Sequence, residues 1–343
     1  MNRLSPLIVL LACVASAGAG QAAPADLAPV SAAAESPAAQ GFKARLTRLE
    51  SFGRRLENSP AEAAAFDYIE TVCAQAGIPA AASGFAESAE GYSFSRIVEA
   101  RIGGARPEEL AIVVGVDSWI DSPDGSDGAA GIAFALTELE ALAGARGSGR
   151  VPPVSLRFVF LGAEKRGRMA DGELASLGSR TWISREEGGR AMAVIYLDFD
   201  RYPGTIRLRS AGSGILSPYW LYDRARRALE TAGLPLSLEA NRLMLNRLGL
   251  IDRYGPIRPY LDAGLPAIEL SGEGGGGPPA KGGAADAGAW FSGFMDSFLA
   301  ASASGFPDEW DRHYIAFQIG ALTAVVRETS YVAFLVLFSA AAA

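Results

Sequence analysis

The chain has 343 residues, of which 49% are hydrophobic and 20% charged, with a single histidine and two cysteines. That length admits one large domain or two small ones and a substantial buried core, and the apolar fraction excludes a disordered chain. The net charge of −7 argues against non-specific nucleic-acid binding, which needs a basic footprint, and the lone His313 excludes His-rich zinc sites and Ser-His-Asp triads that do not use it.

In chain order, the first feature is a targeting segment. Arg3 supplies a short positive region, and residues 4–15 are apolar apart from Ser5 and Pro6. Ala15-Ser16-Ala17 and Ala17-Gly18-Ala19 both fit a small-residue cleavage site, so residues 1–20 read as a secretory signal too short to span a membrane. Leu10-Leu11-Ala12-Cys13 also fits a lipoprotein signal, with a lipid anchor at Cys13. Both alternatives imply export to the periplasm, the cell envelope or the exterior. Residues 21–40 are rich in Ala and Pro and read as a tether, followed by a single domain over 41–343. The cleaved chain keeps only Cys73, which leaves no internal disulfide.

Apolar spacing predicts a helix over 42–56. Pro60 after Asn58-Ser59 starts a second, which stops at Gly77. A strand is expected over 92–102. The apolar run 110–116 reads as a central parallel strand. A helix over 128–142, strands over 154–161, 191–197 and 205–209, and a helix over 216–232 follow. A strand over 267–270 precedes a Gly-rich loop over 271–288. The spacing predicts a closing helix over 314–328. The apolar residues 331–343 read as a buried final element or a partner-facing tail, too short to span a bilayer. Strands alternating with helices predict an α/β fold of three layers, with a mostly parallel central sheet flanked by helices.

Ligands of open α/β sheets bind beyond the carboxyl ends of the strands. Asp117, Asp127, Glu164 and Asp198 all fall at such ends. Helix caps and turns account for single residues of this kind, but four on successive elements point to a site.

The order of these segments resembles the zinc aminopeptidases of metallopeptidase family twenty-eight, the bacterial leucyl-aminopeptidase type. The likeness runs from about Leu46 to Glu328. It is carried by residues 112–118 (IVVGVDS), 125–133 (GSDGAAGIA), 158–167 (FVFLGAEKRG), 177–179 (LGS), 194–200 (VIYLDFD) and 251–270. The resemblance implies a two-zinc site with a bridging Asp at Asp127, a second Asp ligand at Asp198, a general base at Glu164 and an orienting Asp at Asp117. Relative to that pattern, Gly115 stands at the first His position and Lys165 at the Glu ligand position. No His lies between Leu270 and Trp310, so only a realigned His313 could complete the set.

Catalytic zinc needs about three protein ligands and a water. The sequence therefore implies an exported aminopeptidase-fold protein that has lost its two-zinc site, binds no cofactor, and acts as a binding or scaffold protein for a peptide or protein ligand. The alternative is an active metal-dependent exopeptidase with a rearranged or single zinc. A metal-free enzyme using Lys165 as base is disfavoured, because nearby carboxylates raise a Lys pKa.

Overall fold

The structure, a computed structural model, describes residues 37–87, 93–166, 176–185, 192–212, 214–233, 235–238, 240–248, 250, 255–273, 287–319 and 322–342. The described residues all belong to the compact unit of residues 35–343. The signal segment, Cys13, and the tether up to residue 36 lie outside them, as does the Gly-rich stretch 274–286.

The helices are α1 (Pro37–Glu50), α2 (Pro60–Gln75), α3 (Ala129–Gly147), α4 (Leu177–Arg185), α5 (Tyr219–Ala232), α6 (Ala240–Arg247), α7 (Arg258–Asp262), α8 (Ala287–Ala301) and α9 (Glu328–Ala342). The strands are β1 (Ala81–Glu87), β2 (Ser93–Ile102), β3 (Arg106–Gly115), β4 (Val154–Leu161), β5 (Met192–Asp198), β6 (Thr205–Arg209), β7 (Ala211–Gly212), β8 (Ile215–Leu216), β9 (Leu236–Ser237), β10 (Ala267–Glu273), β11 (Tyr314–Ile319) and β12 (Leu322–Arg327). Helix α1 begins at Pro37, inside the stretch expected to be tether. Helix α2 starts as the sequence predicts: Pro60 occupies its first turn and the Ser59 hydroxyl accepts the Glu62 N–H at 3.1 Å.

Eight strands form one sheet in the order β1-β2-β4-β3-β5-β10-β6-β9. The centre, β4-β3-β5-β10, is parallel, while β1-β2, β2-β4 and β10-β6 pair antiparallel. The period-two alternation of the central strands sorts their side chains into two cores. Ile112, Val114, Phe158, Phe160, Ile195 and Leu197 pack on one face with α1, α2, α3, α5 and α8. Ala111, Val113, Val159, Leu161, Val194 and Tyr196 pack on the other with α4 and α7. This gives the expected three layers. Phe134 of α3 anchors the larger core, stacked on Phe42 at 4.4 Å and edge-on to Trp290 at 5.2 Å. Each such buried side chain contributes about 1.5–3 kcal/mol of transfer free energy.

The closing helix expected over 314–328 is not formed. Strands β11 and β12 make an antiparallel hairpin there, pairing Tyr314 with Arg327 and Ala316 with Val325. The run is rich in Tyr, Ile, Val, Thr and Phe, which favour pleated structure. Its alternation buries Tyr314 and Ala316 and leaves Ile315 half-buried, the period of two of a strand. The apolar tail is helical but not buried: every described side chain over 329–340 of α9 is exposed.

Candidate active site

Parallel registry brings distant residues to one rim of the sheet. Gly115 pairs with Leu161, Val114 with Leu197, and Asp198 with Ser271, so the ends of β3, β4, β5 and β10 lie side by side. Buried Arg55 holds the loop that follows β3: it donates to the carbonyls of Val116 at 2.8 Å and Gly125 at 2.7 Å, and to that of Asp127.

The chain leaves β4 through Ala163, whose φ of 56° is left-handed and uncommon for a residue with a Cβ. That turn aims two successive N–H groups at Asp117, which accepts from Glu164 at 2.9 Å and Lys165 at 2.7 Å. Asp117 is fully buried, and burial together with the nearby Glu62 and Glu164 carboxyls pushes its pKa well above the ordinary value, although both N–H bonds favour its ionised form. It therefore fixes the loop and reaches no histidine.

One peptide bond apart, Glu164 and Lys165 enter different surroundings. The Lys165 ammonium lies 2.5 Å from Asp127 Oδ1, 3.2 Å from Asp198 Oδ1 and 3.6 Å from Asp200 Oδ1. Asp127 also accepts the Trp119 N–H at 2.8 Å, and Asp200 accepts the Gly128 N–H, just before α3, at 2.8 Å. Gly128 has a φ of +71°, and a Cβ there would lie 3.0 Å from the Gly115 carbonyl oxygen and 3.7 Å from Lys165 Nζ. Burial alone would lower the Lys165 pKa, but Asp198, Asp127 and Asp200 outweigh it and hold the ammonium well above its usual range. Burial would likewise raise Asp127, and the Lys165 charge and hydrogen bond outweigh it and hold that carboxyl below its usual value. Asp200 is driven up to about 6 by burial and by the neighbouring Asp198 and Asp127 charges, against the pull of Lys165.

Glu164 points into the opposite core. Its carboxyl accepts from the Ser179 N–H at 2.5 Å, the Ser179 hydroxyl at 2.8 Å and the Tyr196 hydroxyl at 3.1 Å. The Ser179 and Tyr260 hydroxyls are 2.7 Å apart. Glu164 is only 2% exposed, and burial pushes its pKa up to about 7 despite these bonds. A general base must reach the proton that it removes. Glu164 is walled in by α4 and β5 side chains.

A cavity of about 570 Å³ opens at the same rim. Asp127, Asp198 and Asp200 line it together with Arg201, Arg207 and Arg209. Arg209 is held by the buried Glu269 at 2.8 Å, and Arg201 by Asp124 at 2.9 Å. Glu164 does not line this cavity.

The residues present do not fit the zinc pair that the resemblance implies. A cation already sits among the carboxylates, covalently part of the chain. Gly115 offers no donor, and a Cβ there would press on the Tyr196 hydroxyl at 3.0 Å and the Glu164 Cβ at 3.2 Å, so those neighbours would have to shift to admit a ligand side chain. Among the described residues, no group of three or more His, Cys, Asp and Glu side chains is arranged to hold a metal ion.

The structure thus joins Asp127 and Asp198 through Lys165, and links Asp117 to Glu164 through the backbone. His313 stands elsewhere: it is exposed, and its Nδ1 lies 3.1 Å from Glu328 Oε2 at the start of α9. Arg55, Asp200, Tyr196, Ser179 and Tyr260 complete the arrangement and were not picked out as site residues from the sequence. For Asp200 a signal existed, since Asp198 and Asp200 sit two apart at a strand end and therefore share a side. Arg55 and Tyr260 carry no local signal, because only the tertiary fold brings them in.

The TP_0564_1st family, first domain, matches residues 170–326, less than half of the chain. No curated protein matches. Among solved structures, the chain resembles glutaminyl cyclase from an Acidobacteriales bacterium, with a TM-score of 0.58 at 14% identity over 83% of this chain and 99% of that one. Glutaminyl cyclase from Fimbriiglobus ruber gives a TM-score of 0.57 at 15% identity, over 82% and 98%. A leucine aminopeptidase precursor from Bacteroides thetaiotaomicron gives 0.52 at 16% identity, over 78% and 97%. At such identities the likeness establishes the fold: the chain has the mixed α/β architecture of the aminopeptidase-like proteins.

Proposed function

We propose that this chain is a non-catalytic binding or scaffold protein, a degenerate relative of the zinc aminopeptidases of metallopeptidase family twenty-eight. The observation that carries this reading is the Lys165 ammonium within 2.5 to 3.6 Å of Asp127, Asp198 and Asp200. An ammonium at that point satisfies the carboxylates electrostatically, yet it cannot lower the pKa of a water as zinc does. The enclosure of Glu164 supports the same conclusion, since no base faces the rim cavity from that position. The cavity itself, with both signs of charge on its walls, suits a peptide or protein ligand. The apolar start of the sequence supports an exported location, by cleavage or by a lipid anchor at Cys13.

The test is elemental analysis of the purified chain, beside assays of aminoacyl-anilide hydrolysis and of N-terminal glutamine cyclisation, each with and without chelator. The proposal expects far less than one zinc per chain and no chelator-sensitive turnover. Stoichiometric zinc with chelator-sensitive release of N-terminal residues would establish the active single-metal exopeptidase instead.

A further inference from the structure

The C-terminal helix presents apolar surface that nothing in the described chain covers. Tyr331, Val332, Leu335, Val336 and Leu337 of α9 are 41%, 55%, 41%, 61% and 71% exposed. At about 100° per residue their directions spread around the helix axis. The only polar residues of α9 are Glu328, Thr329 and Ser330 in its first turn and Ser339 near its far end. A helix that docks in the groove of one protein partner keeps a polar back, and a coiled-coil helix keeps polar positions outside its seam. This helix has neither. Exposed apolar side chains spread over most of the circumference among the described residues, which calls for a surrounding medium rather than a groove.

The base of the helix has the opposite character. Arg247 of α6 pairs with Glu328, His313 meets the same carboxylate, and Arg327 lies 3.7 Å from Asp311 and stacks over Tyr219. Tyr331 stands one turn further on. A collar of paired charges and tyrosines followed by unbroken apolar surface is the order in which a chain meets headgroups and then hydrocarbon. Leu245 and Leu248, on either side of Arg247, and Leu250 are also exposed and add apolar area beside the collar. Fifteen residues of helix span about 22 Å, more than one leaflet and less than the roughly 30 Å of a full hydrocarbon core.

We propose that α9 inserts into the hydrocarbon of a lipid bilayer as an anchor, with Tyr331 and the Arg247–Glu328 and Arg327–Asp311 pairs at headgroup depth. The collar charges are balanced and the chain carries a net −7, so insertion needs no anionic lipid and resists salt.

The test is flotation of the purified full chain with phosphatidylcholine vesicles, and with vesicles in which a third of the lipid is phosphatidylglycerol, at low salt and at high salt. The full chain is expected to float with both, equally at both salt concentrations. The double change Val332→Asp with Val336→Asp is expected to weaken partitioning by at least ~100-fold, since a carboxylate in hydrocarbon is so unfavourable. Both sites are exposed, so the variant should unfold at the same temperature as the parent. Equal flotation of parent and double variant would assign any lipid binding to the apolar N-terminal segment and overturn the proposal. Flotation only with the anionic vesicles and only at low salt would overturn the insertion mechanism. A parent that stays unfloated and sediments as an oligomer, which the double change converts to a monomer, would assign the helix to a second copy of this chain and overturn the proposal equally.

Discussion

Glu164 and Lys165 are adjacent in sequence and almost equally buried, yet their surroundings solve the problem of a buried charge in opposite ways. Lys165 is answered by charge, with three carboxylates near one ammonium, and it stays ionised. Glu164 is answered by neutral donors, Ser179 and Tyr196, and its pKa climbs to about 7. The lesson is that burial alone does not set a group's state: the type of partner does. Lys165 and Asp127 therefore keep their charges near neutrality, whereas Glu164 titrates there, as does Asp200 at the margin of the Lys165 cluster, raised to about 6.

The largest effect is expected on the charged side. Lys165→Met leaves Asp127, itself 6% exposed, as a buried anion without its cation. Breaking a buried pair in this way costs about 3–5 kcal/mol, measurable as a fall in the urea midpoint. Glu164→Gln removes no net pairing and keeps an acceptor for Ser179, so it should cost no more than about 1.5 kcal/mol. Equal losses from the two variants would erase the distinction.

Gly115→His with Lys165→Glu restores donors to the rim, but the Tyr196 hydroxyl stands 3.0 Å from where the new Cβ would sit. The double change should therefore bind zinc weakly in calorimetric titration, and adding Tyr196→Ala should tighten it by tenfold or more. No gain from the added truncation would show that Tyr196 is not the obstacle.

The pH response is smaller and has a definite sign. Glu62, Glu138 and Glu164 all have pKa values raised by burial from 4.5 to about 7. Between those values the folded chain holds protons that the unfolded chain has released, so stability falls as pH rises through this window. Urea unfolding at pH 5 should give a higher midpoint than at pH 7.5, and Glu164→Gln should shrink the difference by its own share. Lys165 and Asp127 act outside the window. Their contribution is lost above pH 10.5, as Lys165 deprotonates, and below pH 3.8, as Asp127 takes up a proton.

The central strands were legible because burial on both faces leaves continuous apolar runs, as in residues 110–116 and 154–161. The acids at their ends were legible for the same reason. Other parts were not. Strand β1 is mostly small residues with little pattern. Helix α8 follows a Gly-rich stretch that hides its start. The hairpin β11-β12 has apolar residues that satisfy a helical spacing as well as alternation. At the site, the sequence could show that Lys165 replaces an acidic residue of the resembling family, but not that its ammonium reaches three carboxylates. The enclosure of Glu164 depends on Ser179 and Tyr196, which approach only through the packing of α4 and β5.

If Lys165 takes the place of a metal ion, the unaltered chain has no site left for zinc at the rim. Calorimetric titration of zinc into the unaltered chain near neutral pH tests it most directly. The account predicts no saturable binding at the rim, the same heat in the presence of Asp127→Asn and Asp198→Asn, and no change in unfolding temperature. Saturable binding of one or two zinc ions per chain, lost in those two variants, would contradict it.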